Sequence, residues 1–136
     1  MATFTSDQIN GNQTFKPFPD GNLGIRYAKF SVTAAPNTDD IYQMVDVFAG
    51  ETVHNVKIKS TDLDTGTDLV YGVGDATDAD QYIAASACGQ AGGGDESDAN
   101  VSPNTYTSDD TIDITVEVDP AGDVATGTLE MWVTVS

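Results

Sequence analysis

The chain has 136 residues, 39% of them hydrophobic, and a net charge of −17 from 22 acidic and five basic residues. That length suits one domain with one core, and a charge of that sign repels phosphate backbones, which argues against a nucleic-acid partner. The single cysteine, Cys88, excludes an intramolecular disulfide; the N-terminus lacks the basic and apolar regions of a signal peptide, and no apolar run approaches a membrane span.

Residues 1 to 23 are rich in Asn, Gln, Thr, Pro and Gly, with Phe4, Ile9, Phe15 and Phe18 at irregular spacing. No period fits them. Lys16-Pro17-Phe18-Pro19-Asp20-Gly21 holds two prolines that bias the preceding residues to extended backbone, followed by a turn signal. This segment reads as an extended arm, and residues 24 to 136 as the folded domain. From Gly24, Ile25 and Tyr27 alternate, then Ala28, Phe30, Val32 and Ala34 do, a phase slip that predicts a bulge near Ala28. Ile41 to Phe48 is short, β-branched and aromatic, and reads as a central strand. Val53 to Lys59 sets Val56 and Ile58 against Lys57 and Lys59 on the other face. Two shorter strands are expected at Leu69 to Val73 and Gln81 to Ala85.

Residues 86 to 108, with Gly89, Gly92, Gly93, Gly94 and Pro103, read as a long loop with one doubtful strand near Tyr106. The clearest alternation follows: Ile112, Ile114, Val116 and Val118 inward, Asp113, Thr115, Glu117 and Asp119 outward. In the final strand Leu129, Met131, Val133 and Val135 face in, with Thr128, Glu130, Trp132 and Thr134 facing out. No segment carries a helical stripe. The fold class is therefore all-β, a single sandwich or jelly roll of about seven or eight short antiparallel strands.

Charge is uneven along the chain. Residues 1 to 60 hold all five basic residues (Lys16, Arg26, Lys29, Lys57, Lys59) against six acids, and residues 61 to 136 hold the other 16 acids with no Lys or Arg. The first half is thus nearly neutral and suited to contact with a surface, while the acidic half suits solvent.

No catalytic constellation is visible. A nucleophile needs a base to activate it, and the sole histidine, His54, is flanked by Val53 and Asn55 on a strand. A zinc site needs more His and Cys than one of each. Asp62, Asp64 and Asp68 around Gly66, and Asp75, Asp78 and Asp80, have the density of calcium loops. They lack the helix-loop-helix calcium signature, since Gly66 stands at the fifth position of the first and no Glu follows at the twelfth. Asp, Thr and Gly are also good turn formers, so no cofactor is expected, with calcium as the alternative.

Val47-Phe-Ala-Gly-Glu-Thr-Val, Val56-Lys-Ile, Thr61-Asp-Leu-Asp-Thr-Gly, Val73-Gly-Asp-Ala-Thr-Asp-Ala-Asp-Gln-Tyr-Ile-Ala and Gly127-Thr-Leu-Glu-Met-Trp-Val together resemble the small capsid decoration (cement) proteins of tailed bacteriophages. The similarity spans roughly residues 45 to 135 and lies in strand-and-turn phrasing; the arm and the acidity lie outside it. The resemblance implies a β-sandwich that docks on the outside of an assembled shell, with the major capsid protein as partner and a homo-oligomer, a trimer by analogy, as the docked form. The expected product is a non-enzymatic virion protein, made in the host cytoplasm. Phe4, Phe15, Lys16, Phe18 and Arg26 are the candidate contacts. Deleting residues 1 to 20 is expected to abolish binding and spare the fold. The alternative is a carbohydrate- or surface-binding module of a fibre or cell surface, with Tyr71, Tyr82, Tyr106 and Trp132 as stacking residues.

Overall fold

The computed structural model describes residues 1–9, 23–97 and 103–136. Among them there is no helix, and ten strands form two sheets. The first sheet runs β1 (Thr3–Thr5), β3 (Ile41–Val47), β9 (Asp110–Val118), β5 (Val70–Gly74), β6 (Ile83–Ser86). The second runs β2 (Gly24–Val32), β10 (Gly127–Val135), β4 (Thr52–Ser60), β7 (Gly93–Glu96), and β8 (Asn104–Thr105) also pairs with β4.

Period-two alternation turns one face of each sheet inward. Ala28 of β2, Val56 and Ile58 of β4, and Leu129, Met131, Val133 and Val135 of β10 are buried. They share one core with Tyr42, Met44, Tyr71, Val73, Ile112, Ile114 and Val116 of the first sheet. Each of the buried Val, Leu, Ile and Met side chains contributes about 1.5–3 kcal/mol by leaving water, so this shared layer is the main reason the sheets hold together.

Ten strands stand where the sequence reading had seven or eight, and four further features differ from it. First, β2 and β10 pair without interruption from Gly24–Val135 to Val32–Gly127, so there is no bulge at Ala28. The apparent phase slip arises because Arg26 takes an inward position while Ile25 and Tyr27 face out. Second, residues 3 to 5 are a strand, paired parallel to Ile41–Gln43, which makes the first sheet mixed. Third, the 86 to 108 segment carries β7 and β8 on the free edge of β4. Fourth, Val118 is 45% exposed and Asp113 of the same strand is 8% exposed.

The N-terminal segment bridges both sheets. The Ile41 amide donates to the Ala2 carbonyl at 2.8 Å and the Ser6 amide to the Gln43 carbonyl at 2.9 Å, both on the first-sheet side. The Asp7 amide donates to the Lys29 carbonyl of β2 at 3.1 Å. The Ser6 hydroxyl donates to the Met44 carbonyl, and Gln8 Oε1 accepts from the Asp46 amide at 2.9 Å. Residues 1 to 20 therefore include part of the fold, and their deletion would strip a strand from it.

Candidate functional site

Of the five expected contact residues, Phe15, Lys16 and Phe18 lie outside the described residues. Phe4 sits 5.0 Å from Tyr42 in a stacked arrangement and 5.5 Å from Phe30, where it closes the core. Arg26 is 2% exposed. Its guanidinium donates to both carboxylate oxygens of Glu51 and to the Asp46 carbonyl at 3.0 Å, and it lies 5.5 Å from the Phe48 ring centroid. Burial pushes the Glu51 carboxyl up, but the Arg26 hydrogen bonds, the Phe48 amide and the Arg26 charge together outweigh it and hold the group below its usual range. The charge of Arg26 is thus satisfied internally, and both Phe4 and Arg26 are structural in position.

The aromatics divide. Tyr71, Tyr82 and Tyr106 are buried, so they cannot stack on an external ligand. Tyr71 hydrogen-bonds Ser60, and burial raises its pKa. Tyr82 and Tyr106 share a bond of 2.6 Å, Asn104 donates to Tyr82 at 3.1 Å, and Tyr106 donates to Asp75 at 2.8 Å. That chain of bonds anchors the β7–β9 segment to the turn after β5. Trp132 alone of the four points outward, beside Tyr27 at 5.2 Å.

Catalytic parts do not converge. His54 Nε2 lies 2.9 Å from the Ser136 hydroxyl on the exposed surface, and among the described residues no carboxylate orients the other ring nitrogen. Burial raises the Cys88 pKa, which suppresses the thiolate.

The aspartates of the turns are used by the backbone. Asp64 Oδ1 accepts from the amides of Gly66 (2.7 Å) and Gly122 (3.0 Å), and Oδ2 from those of Asp68 and Leu69, both at 2.9 Å. Burial raises its pKa, and the four donors overcome this and hold it far below the ordinary carboxylate range. Asp62 accepts from the Asp64 amide. Asp75 accepts from the amides of Thr77 and Asp78, and Asp78 from that of Asp80. A hydrogen bond to Asp78 raises the Asp80 pKa. No group of three or more His, Cys, Asp or Glu side chains suited to a metal ion occurs among the described residues.

What the fold does assemble is one outer sheet face. Cross-strand register places Lys29, Glu130 and Lys59 in one row, and Tyr27, Trp132, Lys57 and Glu96 in the next. Ile25, Thr134 and Asn55 follow. All three lysines are exposed, and Ile25 is 65% exposed. Among the described residues, none of these lysines forms an ion pair; the pair that does form is Arg26–Glu51. Burial and then Glu130 raise the Tyr27 pKa. The outward parity of Trp132 and the lysines of β4 was legible in their strands, but their convergence was not, because it depends on β10 lying between β2 and β4.

No family model matches the chain, and no curated protein does. Solved structures do. The fold aligns with a chain of the capsid of Ralstonia phage GP4 at a TM-score of 0.84 and 22% identity, over 98% of this chain and 97% of that one. A chain in the cyanophage Pam1 capsid asymmetric unit aligns at a TM-score of 0.76 and 26% identity, over 90% and 91%. One in the acidic stable capsid of Helicobacter pylori bacteriophage KHP30 aligns at 0.58 and 14%, over 84% and 87%. The chain is thus similar, over nearly its whole length, to chains found in bacteriophage capsids.

Proposed function

We propose that the chain is a structural component of a bacteriophage virion, and within that role a decoration protein that binds the outside of an assembled capsid and reinforces it. The observation that carries this reading is the near end-to-end match to a chain of the cyanophage Pam1 capsid asymmetric unit, at 26% identity over 90% of the length. Two features support it. The described residues bring together no catalytic constellation, while one sheet face carries an aromatic pair, the residue type enriched in interfaces, with lysines around it as a polar rim. The partner in this reading is the major capsid protein of the same phage, and the docked form is a homo-oligomer.

The test uses particles assembled without this protein. Adding the purified chain is expected to give saturable co-sedimentation at a ratio matching a symmetric lattice site, and to raise the temperature at which particles release DNA to a dye. Particles that neither retain the chain nor change their release temperature would refute the reading.

A further inference from the structure

We infer that the chain docks through the outer face of β2, β10 and β4, with Trp132 at its centre, and that the surface it meets is a protein surface rich in carboxylates. This rests on the capsid reading and names the contact within it. It moves the contact away from the N-terminal segment, whose first nine residues complete the sandwich.

Charge makes the first part of the case. On a chain of net charge −17, this face carries three lysines against Glu130, Glu96 and, close enough to act on Tyr27, Asp7, so it is near neutral where the chain as a whole is acidic. Among the described residues, Lys29, Lys57 and Lys59 all lie on this face, so the excess of acid falls mostly elsewhere. A carboxylate-rich partner would be repelled least at this face, and would pair with lysines that have no ion-pair partner among the described residues. The face that gathers the described lysines thus sets the orientation of the approach.

Composition makes the second part. Trp and Tyr are enriched at the centres of interfaces because they bury much apolar area with few rotatable bonds. Trp132 and Tyr27 lie side by side in the middle row, with Ile25 exposed beside them and lysines in the flanking positions. An apolar centre with a charged rim is the layout of a docking patch.

The opposite face of the sandwich offers neither feature. On β5, Gly72 and Gly74 face outward beneath the turn that follows them, and a Cβ at Gly74 would lie 1.9 Å from the Asp78 carbonyl oxygen. The chain's own turn thus covers the β5 part of that face. Asp80, Asp113 and Glu117 crowd it, each with a raised pKa, and none of the described lysines reaches it.

The experiment measures binding of the full chain to capsids assembled without it, by co-sedimentation across a concentration series. Trp132→Ala is expected to weaken binding by about 30-fold or more, the loss typical of a central interface aromatic. Lys57→Glu/Lys59→Glu, two exposed changes that spare the core, should weaken it comparably and remove much of its salt dependence. Glu117→Gln on the opposite face should bind as the parent does. Unchanged binding by both face variants would overturn the docking face while leaving the capsid reading intact. Failure of the parent chain to bind any capsid would overturn both. If the face variants instead abolish self-association in sedimentation velocity and still saturate capsids, the face joins copies of this chain and the inference is wrong.

Discussion

Arg26 shows how one side chain can mislead a reading of strand phase. Its inward position in β2 is held by a bidentate contact with Glu51 that is sealed from water on the arginine side, at 2% exposure against 21% for Glu51. Truncating one partner of such a pair leaves the other charge uncompensated. Arg26→Ala is expected to cost about 3–5 kcal/mol, read as a lowered urea midpoint, whereas Lys29→Ala two turns of pleat away should cost almost nothing. Asp113 makes the opposite case. Burial, then the neighbouring Asp110 and Asp75, push its carboxyl up to about 7, and the hydrogen bond from Thr111 at 2.6 Å offsets this only in part. A carboxyl whose folded pKa lies above its unfolded value of about 3.9 favours the native state while protonated. That contribution is complete below about pH 4 and is lost as pH rises through about 7. Asp113→Asn should therefore flatten the stability profile between those limits and stabilise the protein at pH 8 by about 1–3 kcal/mol, measured by denaturation at both ends. Asp64 pulls the other way: its depressed pKa supports the fold above about pH 4 and withdraws that support as pH falls further.

At the level of elements, β1 is short but its removal reaches far. It pairs with β3, places Phe4 against Phe30 and Tyr42, and delivers Ser6, Asp7 and Gln8 to bonds on both sheets. Phe4→Ala is expected to cost about 2 kcal/mol, less than for a fully buried Phe because the ring is only partly enclosed. Deleting residues 1 to 9 should cost more and lower the melting temperature, and a melting curve unchanged by that deletion would contradict the bridging role. The long strands β4, β9 and β10 were legible because alternation is a local signal: Val56 and Ile58 are buried with Lys57 and Lys59 exposed, and Met131 and Val133 are buried around a half-exposed Trp132. The short ones were not. β7 is Gly93-Gly94-Asp95-Glu96, which has no β propensity and is a strand because the edge of β4 accepts it and Lys57 stands opposite Glu96. Tyr71, Tyr82 and Tyr106, stacking candidates only under the alternative reading, are packed as strand aromatics usually are, and Ser60, Asn104 and Asp75 supply partners inside. Those partners come from distant stretches of chain, which no local pattern reports.

At the scale of the whole molecule, the acidity is best described between faces. The half-and-half division along the chain is real, but β10, from the acidic half, lies between β2 and β4, from the balanced half, and so the lysines end on one outer surface. A net charge of −17 destabilises a compact state by self-repulsion, which salt screens within a Debye length of about 8 Å at physiological ionic strength. Raising sodium chloride from about 10 mM to about 0.5 M is expected to stabilise the isolated chain by about 1 kcal/mol, or about 3–6 °C in melting temperature. Binding to the capsid should weaken over the same range, since there the screened charges attract. The bridge made by the first residues also sets an order of events. Ala2, Ser6 and Asp7 bond to backbone of Ile41, Gln43 and Lys29, so residues 2 to 7 are synthesised before the strands they pair with and have nothing to settle on until β2 and β3 have followed. Residues 2 to 7 are then among the late ones to lock, and the sandwich is closed by a segment made before its partners.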